Sequence, residues 1–261
     1  MAELADAVAA IAREAGALAM ARWSTGFARW EKAPGDPVSE VDLAVDALLK
    51  VRLGALLPDA GWLSEETADN ADRLSDRRVW VVDPIDGTRD YVRGRKGWAI
   101  SVALVEDGRP VIGVLDAPAR GELWRAAAGE GATLNGEGIA VAPRDRLHGA
   151  RVPADSLPKA DRDLTPVFKP NSIALRIAMV AAGDADLVAT IRWGHEWDVA
   201  AATLIAGEAG AAVSDAFGAP LAFNTRSAQA FGVLACAPGI HAAAVERLAK
   251  RATAAVAGTR N

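Results

Sequence analysis

The segment of residues 79–91, VWVVDPIDGTRDY, joins a β-type run directly to two acidic residues. Its apolar, β-branched and aromatic residues predict a strand that ends at Asp83. Pro84 fixes its own φ and turns the chain at once, so the carboxylates of Asp83 and Asp86 can point into one site, and the Ile85 carbonyl can face the same way. An ordinary turn between a strand and a helix would give the same pattern.

The oxygen atoms of this segment define the kind of ligand that it can bind. Carboxylate and carbonyl oxygens are hard ligands, which suit Mg²⁺ or Mn²⁺, whereas a zinc site would call for His or Cys. The amides of Gly87 and Thr88 are donors for an anion if they open a helical turn. The segment therefore predicts a site for a divalent metal and an anion such as phosphate.

The first half of the chain has the pattern of helices followed by antiparallel strands. Apolar residues recur at helical spacing from about residue 3 to 23, and again between the Pro37 turn and Pro58, which places Asp42 in a first helical turn. From residue 79 the pattern changes to short β-type runs separated by turns; these runs are VWVVD, WAISVALV, VIGVLDAP and ELWRAAA.

The second half begins with a proline-rich stretch at residues 143–170, where periodicity is lost, and we place a boundary near its start. The segments beyond it alternate between helix and strand: a helix at 172–182, a strand at Leu187–Ile191, a helix at 198–209, and strands near 211–214 and 231–236. After about Ala252 we expect a frayed tail. The pattern predicts an α+β metal-binding subdomain over 1–142 and an α/β subdomain over 143–261 that completes the active-site cleft.

The acidic balance of the chain limits its partners. The 261 residues carry a formal net charge of −5, which argues against a nucleic-acid polymer or an anionic membrane as ligand. The single cysteine, Cys236, rules out an internal disulfide, and no segment has the pattern of a signal peptide or a membrane span, so we expect a cytoplasmic protein. An acidic protein that binds a phosphate needs local positive charge, usually a metal.

Other acidic segments accompany the metal-binding segment in a specific order. The four segments are DPVSEVD (36–42), LSEET (63–67), VVDPIDGT (81–88) and EWDVAAATLIAGEAGA (196–211). In order and approximate spacing they resemble the inositol monophosphatase superfamily, and the resemblance covers nearly the whole chain. It implies a layered α-β-α-β-α sandwich, with an antiparallel sheet and helices in the N-terminal half and an α/β C-terminal half.

The resemblance also implies which oxygen atoms bind the metals. Glu65, Asp83 and the Ile85 carbonyl look like the ligands of a first metal, and Asp83, Asp86 and Asp198 look like those of a second. It implies two or three Mg²⁺ ions, with Mn²⁺ as a substitute and Li⁺ as an inhibitor.

The remaining chemistry is implied in the same way. Water activated near Glu65 and Thr88 would be the nucleophile, Asp42 would orient the Thr88 hydroxyl, and Gly87 and Thr88 would bind the phosphate. Two cations about 4 Å apart can both generate the nucleophile and stabilise the leaving oxygen, so no covalent phospho-enzyme is needed.

Each of these residues also has a structural interpretation. Glu65 could lie on the solvated surface, and Asp42 could be a helix-start acid favoured by the helix dipole. Asp198 could cap the helix at 198–209, which is compatible with a role in the site. His195 could be a general acid or a ligand, but the resemblance gives it neither role. Trp193 and Trp197 could line the cleft or belong to the core.

Two departures from the inositol-specific pattern bear on the substrate. Alignment places Ile191 where those enzymes usually carry a carboxylate that grips sugar hydroxyls, and an isoleucine cannot accept those hydrogen bonds. The loop after the metal-binding segment resembles that of 3'(2'),5'-bisphosphate nucleotidases, and its Arg89, Arg93, Arg95 and Lys96 could meet a second phosphate. A solvated basic loop is the alternative. We also expect Ser172 to contact the substrate.

We therefore expect a magnesium-dependent phosphatase of a small phosphorylated metabolite. A 3'(2'),5'-bisphosphate nucleotide is the favoured substrate and inositol monophosphate the alternative, with histidinol phosphate and fructose bisphosphate further behind. A regulatory or partner-binding member with incidental activity is a hypothesis of another class. Between Arg151 and Asn171 the chain is shorter and richer in proline than typical members of the family. This difference alters the expected leaving-group pocket. It also alters the surface through which a homodimer, which we include as an expectation, would form.

Overall fold

The computed structural model describes residues 1–23 and 25–258, over which helices and strands alternate. The α-helices are α1 (Ala2–Trp23), α2 (Glu40–Leu56), α3 (Thr88–Val92), α4 (Ile173–Ala181), α5 (Glu196–Glu208) and α6 (His241–Gly258). None of the helices in this part of the chain is long and apolar enough to cross a membrane.

The strands fall into one large sheet and several small ones. The first nine are β1 (Arg29–Ala33), β2 (Asp36–Ser39), β3 (Gly61–Ser64), β4 (Arg78–Asp86), β5 (Ala99–Glu106), β6 (Arg109–Ala117), β7 (Glu122–Ala127), β8 (Ala132–Leu134) and β9 (Glu137–Gly138). The others are β10 (Arg151–Pro153), β11 (Thr165–Val167), β12 (Leu187–Ala189), β13 (Trp193–His195), β14 (Ala212–Ser214), β15 (Gln229–Phe231) and β16 (Leu234–Cys236).

The large sheet has the order β3-β4-β5-β6-β7-β8-β9. Its strands pair antiparallel except for β3 and β4, which run parallel. Because side chains alternate along a strand, Trp80 and Val82 of β4 enter the core on one face, while Val79 and Val81 enter the core on the other. The sheet is therefore buried on both faces.

Five layers follow from these two cores. Helices α1 and α2 cover one face of the large sheet, and α4 and α5 cover the other. Beyond α4 and α5 lies a second sheet of order β12-β16-β14, and α6 packs on its far side through Ala244 and Leu248. This arrangement confirms the layered α-β-α-β-α sandwich that the resemblance implied.

Small residues bring α5 close to the large sheet. A Cβ placed on Gly113 of β6 would lie 2.5 Å from the carbonyl oxygen of Ala201, so a larger residue at position 113 would push the helix away. Ala200, Ala201 and Ala202 are all fully buried. This close packing holds the first turn of α5 beside the end of β4, where the predicted metal-binding segment lies.

Some boundaries differ from those predicted. Strand β4 continues through Pro84 to Asp86, because the pairing with β5 is irregular between Asp83 and Asp86 and so accommodates the proline. The C-terminal residues form α6 rather than a frayed tail after Ala252, which is itself fully buried. The predicted boundary near residue 143 falls between β9 and β10 and stays a prediction; residues 259–261 of the second predicted subdomain lie outside the described residues.

The proline-rich segment contains little regular structure. Between β10 and α4 there is one short 3₁₀ turn, Lys159–Asp161, and strand β11, which pairs parallel with β10. Asp161 binds Arg251 of α6, and Asp163 binds Arg247, which ties the segment to the C-terminal helix. The segment therefore packs on the α6 side of the molecule.

Candidate active site

Glu65 and Asp83 lie next to each other because β3 and β4 run parallel. Ser64 is paired with Val82, and the Glu65 amide donates to the Val82 carbonyl over 3.3 Å. The carboxyl ends of the two strands therefore meet, and each is followed by an acid. The Asp83 carboxylate accepts a hydrogen bond of 3.0 Å from the Ile85 amide and is almost fully buried, at 1% exposure.

Asp86 binds the N-terminus of α4. Its carboxylate accepts hydrogen bonds from the amides of Ile173 (3.3 Å) and Ala174 (2.8 Å), and from the Ser172 hydroxyl. Ser172 in turn accepts from the Leu175 amide and so caps the helix. A residue of the large sheet thus fixes the position of a helix from the second half of the chain.

Asp198 enters the site from the first turn of α5. Strand β13 leads into this helix and pairs with β15. The Asp198 carboxylate accepts from the His195 amide over 3.2 Å, so it also satisfies a donor at the start of the helix. Asp198 therefore has a capping role, as the third residue of a helix that begins at Glu196 and not at residue 198 as predicted, and its role in the site stays a prediction.

All four acids line one cleft of about 250 Å³. The cleft also contains the other parts of the metal-binding segment and residues of both helices that border it. Its lining residues are Pro37, Glu65, Asp83, Ile85, Asp86, Gly87, Thr88, Arg89, Asn171, Ile173, Arg176, Arg192, His195, Trp197 and Asp198. Trp197 thus lines the cleft, and its ring stacks on that of His195 at 4.3 Å between centroids.

Burial and mutual repulsion make these carboxylates reluctant to ionise. Burial, and then the charges of Glu65, Asp86 and Asp198, raise the pKa of Asp83 well above its usual range. Burial and the Asp86 and Glu65 charges raise the pKa of Asp198 to about 8. Burial raises the pKa of Asp86 to about 6, although its hydrogen bonds from Ser172 and α4 oppose the rise. Such a cluster is stabilised by added positive charge.

The donor chemistry fits a hard divalent cation. In this structure no three Asp, Glu, His or Cys side chains of the described residues stand close enough together to hold one ion. Each acid keeps a partner of its own: Glu65 binds Lys32, Asp86 binds α4, and Asp198 binds the His195 amide. The oxygen chemistry of these side chains suits Mg²⁺.

Thr88 and Asp42 form a hydrogen-bonded pair at the edge of the cleft. The Thr88 hydroxyl lies 3.2 Å from an Asp42 carboxylate oxygen and 3.0 Å from the Ile85 carbonyl. The other Asp42 oxygen accepts from the amide and hydroxyl of Ser39, which caps α2. The Thr88 hydroxyl therefore donates its proton to Asp42 or to the Ile85 carbonyl, and its lone pairs are left for a donor such as water.

Gly87 allows this loop to pack tightly. Its φ is +97°, and a Cβ at this position would lie 2.6 Å from the Gly97 carbonyl and 2.9 Å from the Ser172 amide. Helix α3 begins directly after it at Thr88. The amides that were predicted to bind phosphate therefore open a helical turn at the cleft, as the sequence pattern requires.

Lys32 also reaches the cluster. It belongs to β1, which pairs with β2, and its ammonium lies 3.0 Å from a Glu65 oxygen and 2.5 Å from a Glu66 oxygen. Burial raises the pKa of Glu66 to about 7, against the opposing effect of Lys32. The sequence analysis missed this lysine because its position depends on how the hairpin folds over the site.

Two predicted substrate contacts lie elsewhere. Ser172 is fully buried and does not line the cleft, because its hydroxyl is occupied by Asp86 and by the start of α4. Ile191 packs against the apolar side chains near α6 and borders a separate pocket with Leu187 and Leu248. Its side chain points to the α6 side because the adjacent strand β13 presents Arg192 to the cleft instead.

The predicted basic loop is also placed outside the cleft. Arg93, Arg95 and Lys96 are exposed, and none of them lines the cleft, because α3 ends at Val92 and Gly94 turns the chain away. Asp90, in contrast, is buried and accepts from the Asn171 amide, which fixes the approach to α4.

Three arginines line the cleft. One of them, Arg89, is among the predicted basic residues, and it donates to the Gly35 carbonyl of the β1–β2 turn. The other two were not predicted: Arg176 lies in the first turn of α4, and Arg192 precedes β13. Arg176 is the single charged residue in the apolar run SIALRIAMVAA, which was a signal that the sequence analysis did not use.

Comparisons with known proteins agree with this geometry. The model of the inositol monophosphatase family matches residues 1–257. The chain belongs to the inositol monophosphatase family. It is 35% identical over 209 residues to inositol monophosphatase 2 of Solanum lycopersicum, which covers 73% of this chain and 79% of the relative. It is 31% identical over 206 residues to the 3'(2'),5'-bisphosphate nucleotidase CysQ of Escherichia coli, with 75% and 82% covered.

A solved structure shows the same architecture. The Thermotoga maritima IMPase superposes with a TM-score of 0.83 at 28% identity, and the match covers 96% of this chain and 98% of that one. The comparisons therefore support the predicted class, a phosphatase of this family. Because relatives of similar identity carry different substrates in their names, they do not determine the substrate.

Proposed function

We propose that this protein is a magnesium-dependent phosphatase that hydrolyses a small phosphate monoester with an activated water molecule. The observation that carries the proposal is the meeting of Glu65, Asp83, Asp86 and Asp198 in one cleft beside the Thr88–Asp42 pair. These acids come from the ends of two strands and the start of a helix. Asp83 and Asp86 are buried, and burial together with repulsion from the other acids raises the pKa of Asp83, a cost that a bound cation would offset.

Glu65, Asp83 and the Ile85 carbonyl would hold one Mg²⁺, and Asp83, Asp86 and Asp198 a second. Bound ions lower the pKa of water and neutralise the charge that develops on the phosphate and on the leaving oxygen. Mn²⁺ would replace Mg²⁺ in the same oxygen set, and we expect Li⁺ to inhibit because it is small enough for one of these positions but carries a single charge.

The side chains then have separate tasks. Asp42 holds the Thr88 hydroxyl, whose oxygen accepts a hydrogen bond from the attacking water, and Glu65 takes the proton from that water. The Gly87 and Thr88 amides hold the phosphate in line for attack. Water oxygen bonds to phosphorus, the ester P–O bond breaks, and the departing alkoxide takes a proton from solvent.

We favour a substrate that carries a second phosphate, such as a 3'(2'),5'-bisphosphate nucleotide. No carboxylate beyond the four acids lines the described cleft, so no further carboxylate is available to bind sugar hydroxyls, whereas arginines border the cleft. The similarity to a 3'(2'),5'-bisphosphate nucleotidase supports this preference. Inositol monophosphate is the alternative, supported by the similarity to the tomato enzyme.

Phosphate release from p-nitrophenyl phosphate, measured with and without Mg²⁺, tests the reaction itself. We expect release that requires Mg²⁺ and stops with a chelator. A panel that includes adenosine 3',5'-bisphosphate and inositol 1-phosphate, compared by kcat/KM, then tests the substrate. No release from any ester would favour a regulatory or partner-binding member, and a panel led by inositol 1-phosphate would favour the alternative substrate.

A further inference from the structure

Arg176 and Arg192 both line the cleft, and they are close enough for the charge of Arg192 to act on Arg176. Arg176 is half-buried and Arg192 is exposed. In the described part of the chain neither of them forms an ion pair within 4 Å, whereas most of the other half-buried arginines pair with an acid, as Arg151 does with Asp186. Two neighbouring guanidinium groups without an ion-pair partner are suited to binding an anion.

Arg176 is held in place by neutral acceptors. Its Nε donates to the Pro170 carbonyl over 2.7 Å, and one Nη donates to the Asn171 carbonyl over 2.5 Å. These bonds orient the guanidinium without forming an ion pair, and they leave three of its five N–H groups without a described acceptor. The group is half-buried, so it is already oriented before a ligand arrives.

Each arginine is also fixed relative to one of the metal-binding acids. Asp86 binds the amides of Ile173 and Ala174, which places Arg176 within one helical turn of that carboxylate. Arg192 lies on the segment that leads through β13 to His195, whose amide donates to Asp198. The pair therefore borders Asp86 and Asp198, on the side of the cluster away from Lys32, Glu65 and Thr88.

We infer that Arg176 and Arg192 bind a second anionic group, a phosphate, on the alcohol portion of the substrate. This inference rests on the proposed function: if water attacks from the Glu65 and Thr88 side, in-line displacement sends the alcohol toward Asp198 and the arginines. The pair selects bisphosphates over monophosphates, and it does so without the exposed Arg93, Arg95 and Lys96. Neutral sugar hydroxyls gain less from guanidinium groups than a phosphate does.

A matched pair of substrates separates this inference from the proposed function. Adenosine 3',5'-bisphosphate and adenosine 3'-monophosphate present the same ester and differ by the 5'-phosphate alone. We expect wild-type kcat/KM to be about ten- to a hundredfold higher for the bisphosphate, the range of a charge-assisted contact. In Arg192→Gln most of this ratio should disappear, and the same should hold for Arg176→Gln. The exposed Arg109→Gln is the control, in which the ratio should stay at the wild-type value.

Binding provides the second readout. In an Asp83→Asn background, calorimetry should show adenosine 3',5'-bisphosphate binding tighter than adenosine 3'-monophosphate, and the difference should fall in Arg192→Gln.

If Arg176→Gln fails to fold because its carbonyl contacts are lost, the result for the exposed Arg192 still decides between the outcomes. Hydrolysis of both nucleotides with equal kcat/KM, or a ratio lost in Arg93→Gln and kept in Arg192→Gln, would overturn the inference while leaving the phosphatase proposal intact. No hydrolysis together with a retained binding difference would instead remove the phosphatase proposal and keep the anion site.

Discussion

The two sides of the cleft are built in different ways. On the side of Glu65, Thr88 and Asp42, the residues come from the first 88 positions, and their contacts run along two adjacent strand ends and one helix cap. On the side of Asp198, Arg192 and Arg176, the residues come from the second half, and their positions depend on how α4 and α5 dock on the sheet. The first side contains groups suited to activating water, and the second contains groups suited to selecting an alcohol. Reaction and selectivity should therefore respond to different mutations.

Asp83 lies between the two sides, and its replacement should have the largest effect. Asp83→Asn removes the one acid assigned to both metals, so we expect activity to fall by more than the roughly 100-fold that loss of a residue supporting a metal ligand costs. The neutral amide also relieves repulsion with Glu65, Asp86 and Asp198, so the metal-free protein should melt at a higher temperature. Assays of p-nitrophenyl phosphate hydrolysis and thermal unfolding in a chelator measure the two effects.

The exposed Asp59→Asn serves as the control for Asp83→Asn and should change neither quantity. If Asp83→Asn unfolds, or melts at a lower temperature than wild type without metal, Asp83 is a structural residue. The assignment of Asp83 to both metals would then be wrong. Calorimetric titration with Mg²⁺ adds an independent measurement, since the variant should lose Mg²⁺ binding.

Thr88 tests the water-activating side alone. Thr88→Ala removes the hydroxyl that Asp42 orients, and we expect kcat to fall by about 100-fold, the lower range of acid–base effects, with KM little changed. Thr88→Ser keeps the hydroxyl and should retain most of the activity. The ratio between adenosine 3',5'-bisphosphate and adenosine 3'-monophosphate should be the same in Thr88→Ala as in wild type, because selectivity belongs to the other side. A changed ratio would show that the two sides act together.

The metal-binding side was largely predictable from the sequence. The close spacing of Asp83 and Asp86 predicted that both acids reach one site, and both line the cleft, although β4 continues through Pro84 instead of ending before it. Their neighbours in the fold, such as Glu65, could be identified through the family resemblance. The layered fold was predictable through the same resemblance.

The substrate-facing residues were not predictable in the same way. Ser172 carries a hydroxyl suited to a ligand, but the docking of α4 against Asp86 buries it. Arg93 is near the metal-binding segment in sequence, yet the turn at Gly94 leaves it outside the cleft. Arg176 and Arg192 follow the metal-binding segment by about 90 and 100 residues, and they reach the cleft through tertiary packing. Of the basic residues favoured by their proximity in sequence, Arg89 lines the cleft and Arg93, Arg95 and Lys96 do not, and Arg176 and Arg192 were missed because sequence proximity carries no information about helix docking.

A buried acid that does not line the cleft can separate the effect of burial on a carboxylate pKa from the effect of neighbouring carboxylates. Asp116 of β6 is 6% exposed and lies against Gly16 of α1, and burial raises its pKa to about 6 although Arg13 opposes the rise. Because the folded-state pKa is above the ordinary value, the folded state favours the protonated form. Stability contributed by that form is complete below about pH 4 and is lost as the pH rises to about 6.

Asp116→Asn cannot ionise, so it should stabilise the protein by about 1–3 kcal/mol at pH 7.5 and by almost nothing at pH 4. Urea unfolding at the two pH values measures this difference, with the exposed Asp59→Asn as the control. A loss of stability at pH 7.5 would mean that Arg13 holds the charged form. The outcome also bears on the cleft. A large stability change in Asp116→Asn would show that burial alone explains much of the free-energy cost of ionising Asp83.

Replacing Lys32 should have the smallest effect of these substitutions, and it tests the metal site on the water-activating side of the cleft. Its ammonium contacts Glu65 and Glu66, so it competes with a metal ion for the Glu65 carboxylate. Lys32→Met keeps the apolar stem and removes the charge. We expect Mg²⁺ to bind about two- to fivefold more tightly, the range that a partly exposed ion pair supports. Calorimetric titration with Mg²⁺ at pH 7.5 measures this change without relying on activity.

Lys50→Met is the matched control, because Lys50 lies over the Trp62 ring and contacts none of the metal-binding acids. It should leave Mg²⁺ affinity at the wild-type value. Weaker binding in Lys32→Met would mean that the lysine holds Glu65 in its binding position, so that the hairpin of β1 and β2 forms part of the metal site. Stronger binding would mean that the hairpin opposes the metal, and the selectivity between the two adenosine nucleotides should then be unchanged, because Arg176 and Arg192 lie on the other side of the cluster.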